Sequence, residues 1–305
     1  MNRRVAPQAP QRNRSGEQGH PARDGIRYRE FTRDGIELSL LRFTRNVRWE
    51  PPVLLTHGTF SNAQVCERLA SFLADHGFDC WIAELRGHGQ SQRGEGHPDF
   101  QHLADFDVPT ALDAVRRRTG KPQAFLVGHS GGGLVFLMYL ARNPERCGYV
   151  KGVVTVASQA TEAAATLSAR LKIVGFAALT SFLGYLPGPA LGLGPEDEFG
   201  GVMNQWFRWN LSHRWLGRDG FDYAHALSVV DVPTVMLAGA GDRFIAPVRG
   251  CRRLHELLGS RDKQFVICGK SSGFTEDYGH TRIIASRTGR REVWPVILNW
   301  MRDRA

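Results

Sequence analysis

The sequence predicts an α/β fold: a mostly parallel central sheet with helices on both faces and one helical insertion. Three observations carry this. Short apolar runs alternate with helical patterns along most of the chain, as expected where both faces of a parallel sheet are covered. One strand-to-helix junction holds a serine between glycines, Gly128-His129-Ser130-Gly131-Gly132. The alternation then breaks over residues 158–231, a segment too long to be a loop in a compact domain.

Taken in order, Tyr28 to Thr32 and Ile36 to Phe43 flank Asp34-Gly35, a hairpin turn signal between β-prone segments. Val53 to Thr56, Asp79 to Leu85, Ala124 to Val127, Val150 to Ala157, Thr234 to Ala238 and Gln264 to Cys268 read as buried strands. Helical patterns fall at Ala63 to Ala74, Phe100 to Arg118, Leu134 to Arg142, Arg249 to Leu258 and Glu292 to Arg304. Residues 25–157 and 232–305 therefore form one α/β core, and residues 158–231 form a helical cap. Within the cap, Ile173 to Gly194 carries no charge. Its prolines and glycines would leave backbone groups unpaired in lipid, which argues against a spanning helix. We expect a lid whose inner face contacts an apolar ligand. Val202, Trp206, Trp209 and His213 recur at helical spacing, a stripe read chiefly as packing.

Composition excludes several classes. A chain of 305 residues with 42% hydrophobic and 23% charged residues is that of a globular domain with a sizeable core. The net charge of +9 comes from scattered arginines with no nucleic-acid-binding motif. Five cysteines, Cys66, Cys80, Cys147, Cys251 and Cys268, have no metal-like spacing and read as buried free thiols of a reducing compartment. Arg3-Arg4 is followed by no apolar stretch, so residues 1–24 are expected to be a disordered basic tail and the protein cytoplasmic.

The junction at Ser130 carries the chemistry. A serine on so sharp a turn needs small residues two positions before and after it, and its hydroxyl is lifted into a cleft at the carboxyl end of the sheet. A serine needs a base, and the base a group to orient it. His280, in Tyr278-Gly279-His280, follows the last strand and is expected to be the base. Asp242, directly after Thr234 to Ala238, is expected to orient it. Glu276 and Asp277 share the loop of His280 and are read as solvated. His57, His88 and His129 are read as fixing loops by hydrogen bonds. The amide of Gly131 is the first expected oxyanion donor, and that of Thr59, or alternatively Phe60, the second. Phe60, His129, Phe176, Phe182 and Trp206 are the candidate substrate contacts. No metal or cofactor is called for.

Together these residues resemble the α/β-hydrolase superfamily over about residues 26 to 305. Glu84-Leu85-Arg86-Gly87-His88-Gly89-Gln90-Ser91 is similar to its D-x-R-G-x-G-x-S turn, with Glu84 in place of aspartate. Asp105-Phe106-Asp107-Val108-Pro109, Thr119-Gly120 and Val127 to Ser130 resemble acid lipases and polyhydroxyalkanoate synthases. Tyr278-Gly279-His280 with Glu292-Val293-Trp294-Pro295 resembles the synthases, which carry a cysteine where this chain has Ser130. The resemblance implies a capped serine hydrolase of esterase or lipase type, acting on a small or lipid-like ester, and the uncharged stretch of the cap points to an apolar acyl group. An acyltransferase or thioesterase, and a non-catalytic binding protein on the same scaffold, are the alternatives.

Overall fold

The computed structural model describes residues 25–49 and 51–305, so the tail expected over residues 1–24 lies outside the described residues. Strands β1 (Ile26–Phe31) and β2 (Glu37–Phe43) form an antiparallel hairpin, with Gly35 at φ +83° in the turn. The β-α units follow: β3 (Val53–Thr56), α1 (Gln64–Asp75) and β4 (Cys80–Ala83). The helix expected from Phe100 is continuous but not uniform. It starts as α2 (Phe100–His102), passes through a π-helical turn over Leu103–Asp107, and continues as α3 (Val108–Thr119). Pro109 lies in the first turn of α3, just after the π-helical turn, and offers no N–H to the turn before it. Next come β5 (Ala124–His129), α4 (Gly131–Arg142) and β6 (Val150–Val156).

The insertion carries α5 (Leu167–Leu183), β7 (Tyr185–Leu186), α6 (Gly188–Leu191), β8 (Glu198–Phe199), α7 (Gly200–Ser212) and α8 (Tyr223–Ala226). The core resumes with β9 (Thr234–Gly239), α9 (Val248–Leu257), β10 (Lys263–Cys268), α10 (Arg282–Ala285) and α11 (Arg287–Arg302). Helix α11 starts five residues before the periodic pattern does, because the Ser286 hydroxyl accepts from the Gly289 amide and caps it.

The sheet order is β1-β2-β4-β3-β5-β6-β9-β10, parallel from β4 to β10. Alternate side chains of β5 serve opposite cores: Ala124 and Leu126 on one face, Phe125 and Val127 on the other. Strand β10, expected to be buried, is only partly so because it forms the sheet edge. The chain leaves β3 for β4 on one side, while β5 lies on the other. The connections that leave the carboxyl ends of β3 and β5 therefore run to opposite faces and leave a crevice there, the place where open α/β sheets bind ligands.

Candidate active site

Ser130 stands in that crevice between β5 and α4, at φ 54° and ψ −121°. This left-handed conformation is strained for any residue with a side chain. Its neighbours hold it there. The Ser130 amide donates to the Val156 carbonyl at 2.8 Å, and the Ser158 hydroxyl donates to the Ser130 carbonyl at 2.8 Å. The flanking glycines are sterically required. A Cβ on Gly128 would lie 2.4 Å from the Gly133 nitrogen, and one on Gly132 would lie 2.6 Å from the His57 oxygen. Gly58 matters as much, since a Cβ there would meet the Ser130 Cβ at 2.6 Å. Gly58 and Ser158 carry no local sequence signal, because their roles depend on contacts with Ser130, distant in sequence.

Ser130, His280 and Asp242 come together as a hydrogen-bonded chain. The Ser130 hydroxyl donates to Nε2 of His280 at 2.9 Å, and Nδ1–H of His280 donates to the Asp242 carboxylate at 2.6 Å. The same carboxylate accepts the amides of Ile245 and Ala246, each at 3.0 Å. Burial alone would raise the Asp242 pKa. The His280 bond and charge, with the amides of Ala246 and Phe244, outweigh burial and hold the pKa below its usual value. Glu276 and Asp277 take no part in this chain. Glu276, partly exposed, pairs with Arg282, while Asp277 accepts the Lys270 amide at 2.8 Å.

The other histidines fix loops. His129 donates from Nε2 to the His280 carbonyl at 3.0 Å, and burial followed by the nearby His280 pushes its pKa down to about 3. Buried His57 bonds the Gly58 carbonyl through Nδ1 and accepts the Leu85 amide at Nε2. Its pKa is likewise pushed down to about 3, chiefly by burial. His88 behaves oppositely. Burial opposes its charge, yet Glu198 across a 3.1 Å contact raises its pKa above the usual value.

Glu198, on β8 of the insertion, is 1% exposed and was not singled out in the sequence. One carboxylate oxygen accepts both Nε2–H of His88 and the Phe60 amide, the latter at 3.2 Å. The other accepts the Phe199 amide at 2.9 Å. Phe60 itself sits at φ 60°, and its carbonyl accepts the Glu196 amide at 3.1 Å. The Phe60 N–H is therefore committed to the insertion. The Thr59 amide stays beside Gly131, so close that a Cβ on Gly131 would lie 3.4 Å from it.

Thr59, Phe60 and Gly131 line one cavity. Phe60, His129, Phe176 and Trp206, four of the candidate contacts, face it together with Ser130 and His280. Phe182 does not, and the expectation is corrected: it is 86% exposed. Six residues beyond Phe176, at roughly 100° per residue, it points about 240° away around α5. Val202 and Trp209 are fully buried in the core, and His213 ends α7 in a left-handed conformation with Nδ1 at 2.9 Å from the Thr161 carbonyl. Four of the cysteines are buried and Cys147 only half-buried. Among the described residues, no three His, Cys, Asp or Glu side chains form a metal-ligating group, and no helix is long and apolar enough to cross a membrane.

A family model for the alpha/beta hydrolase fold matches residues 51–176, the segment that holds β3 and the Ser130 turn. The chain has the α/β-hydrolase fold. Among curated relatives, mouse gastric triacylglycerol lipase is 27% identical over 184 residues, covering 52% of this chain and 46% of the lipase. The lipase lipl-3 of Caenorhabditis elegans is 31% identical over 147 residues, 41% of this chain and 36% of that one. Each match thus spans less than half of the relative's length. Among solved structures, a thermophilic esterase from Thermogutta terrifontis superposes with a TM-score of 0.64 at 19% identity, covering 91% of this chain and 98% of the other. A monoacylglycerol lipase from Paleococcus ferrophilus gives 0.63 at 20% identity, with 88% and 99% covered.

Proposed function

We propose that the protein is a serine hydrolase that cleaves carboxylic esters with an apolar acyl group. One observation carries the reading. A serine, histidine and aspartate are hydrogen-bonded in sequence, and the serine and histidine line an apolar cavity beside Thr59 and Gly131. Ser130 Oγ attacks the ester carbonyl while His280 Nε2 takes its proton. The tetrahedral oxyanion is held by the N–H groups of Gly131 and Thr59. His280 then protonates the leaving alcohol, and the acyl group remains on Ser130. Water, deprotonated by the same imidazole, releases the acid. Asp242 keeps Nδ1 protonated and stabilises the imidazolium; its low pKa leaves it ionised for that task. His129, with its Nε2 occupied and its pKa near 3, fits a supporting rather than a basic role.

Residues 158–231 act as a cap. Phe176, Leu186, Met203 and Trp206 come from it and face Ser130 across the cavity. The lipase and esterase names of the relatives agree with an ester substrate. The test is fluorophosphonate labelling combined with p-nitrophenyl ester hydrolysis. Ser130→Ala should abolish labelling and lower kcat by about 10³-fold or more. Near-normal turnover by this variant would remove Ser130 from the mechanism.

A further inference from the structure

The outer face of α5 is unlike the rest of the surface. Among the described residues, thirteen large hydrophobic side chains stand exposed, and eight of them lie between Leu167 and Leu193. Leu167 is 75% exposed, Leu171 63% and Phe182 86%. At roughly 100° per residue, Leu167, Leu171, Val174, Ala178 and Phe182 fall on one stripe along the helix. The opposite stripe is already used, since Ile173 and Thr180 are fully buried. Packing among the described residues therefore does not explain the outer stripe.

Charge points to what covers it. Residues 163–195 contain no carboxylate, and their only charges are Arg170 and Lys172. These flank the stripe on its two sides, each about 100° from Leu171 around the helix. Neither forms an ion pair among the described residues. Arg170 donates to the Leu211 carbonyl at 3.3 Å, and the Lys172 ammonium lies 5.7 Å from the Phe244 ring. Long cationic side chains beside an apolar stripe can lay their stems along lipid while their heads reach anionic headgroups. A second copy of this face would instead meet both cations with no carboxylate. Helix α5, with 17 residues, is not among the spans able to cross a bilayer, so it would lie on the surface. Its position relative to the cavity is also suited to this. Phe176 of the same helix, Leu193 and Phe244 line the cavity that contains Ser130.

We propose that the outer face of α5 docks on an anionic lipid bilayer, with the mouth of the cavity beside the lipid. This follows from the surface alone and does not depend on the reaction assigned to Ser130. Flotation of the full chain with vesicles tests it, using phosphatidylcholine alone and phosphatidylcholine mixed with phosphatidylglycerol. The wild type should float with the mixed vesicles, less so with phosphatidylcholine and less at high salt. Arg170→Gln and Lys172→Gln should each weaken binding to the mixed vesicles by about fivefold. The double variant Leu171→Asp with Phe182→Asp should weaken it by at least about tenfold. Circular dichroism and turnover of soluble p-nitrophenyl acetate should match the wild type, which separates loss of docking from loss of fold. A wild type that stays in solution with both vesicle types overturns the proposal. So does binding that ignores the double variant, or a dimer in sedimentation that the double variant disperses, which would mean that a second copy covers the face. Docking without any ester turnover would leave this inference standing and refute the reading of Ser130.

Discussion

Glu198→Gln tests whether the insertion sets the geometry of Thr59, the proposed second oxyanion donor. In the wild type the two carboxylate oxygens accept three donors: Nε2–H of His88 and the amides of Phe60 and Phe199. Glutamine has one carbonyl oxygen, so at least one donor must face its NH₂ group. A buried donor left without a partner costs about 1–3 kcal/mol, so the melting temperature should fall. The catalytic effect comes through Phe60, which adjoins Thr59 and sits in a strained left-handed conformation. Losing an oxyanion donor outright costs about 10²–10³ in kcat, which sets an upper bound. A Thr59 amide that is loosened rather than lost should lower kcat by about 10- to 100-fold, with KM little changed. The assay is kcat and KM on p-nitrophenyl butyrate below the melting temperature. A lower melting temperature with an unchanged kcat would show that Glu198 only holds the insertion in place. The pH dependence gives a second reading. His88, whose pKa is raised by Glu198 and to a lesser degree by Glu196, contributes stability that is complete below the usual histidine value of 6.5 and is lost as pH rises through the raised value. Buried His57 lies against it at 5.1 Å between ring centroids, and its pKa near 3 keeps it neutral throughout that window. Glu198→Gln should flatten this decline.

The contrast between Ser130 and Glu198 shows what a sequence makes legible here. The turn at Ser130 is a local object: a strand, small residues at set spacing, then a helix, all within a short stretch of chain. Asp242 and His280 could be placed because each follows a strand whose apolar run was clear. Glu198 offered no such signal. It lies in Glu196-Asp197-Glu198, which has the composition of a solvated turn, and only the tertiary approach of β8 to His88 buries it. Phe182 was misplaced for a different reason. Helix α5 is apolar on both faces, so periodicity carries no contrast that could separate inside from outside. The π-helical turn at Leu103–Asp107 was equally invisible, because the added residue keeps the helical pattern nearly unbroken. The early start of α11 was missed because Arg287 to Arg291 contains no apolar residue to mark a phase.

Asp242→Asn should keep the fold and cut kcat by up to about 10⁴-fold, since the amide favours the wrong imidazole tautomer; a harmless substitution would place the orienting acid elsewhere. For p-nitrophenyl esters, kcat/KM should rise by about fourfold per added methylene until the cavity is full, and Trp206→Ala should flatten that rise; identical slopes in both proteins would mean that Trp206 does not contact the chain. The last prediction compares two glycine-to-alanine changes with opposite signs. At Gly175, inside α5, a Cβ meets nothing within 4 Å, so Gly175→Ala should stabilise the protein by about 0.5–1 kcal/mol and leave kcat alone. At Gly132 a Cβ would lie 2.6 Å from the His57 oxygen and 2.8 Å from the Thr56 oxygen. Both are backbone atoms at the end of β3 and cannot yield as a side chain would. Relief requires α4 to move away from β3, which separates the Gly131 amide from that of Thr59. Gly132→Ala should therefore lower kcat more than it lowers the labelling of Ser130 by a small sulfonyl fluoride, whose reaction builds less charge on oxygen. Equal loss in both assays would mean that the substitution disturbs Ser130 itself and that the spacing of the two amides is not what Gly132 protects.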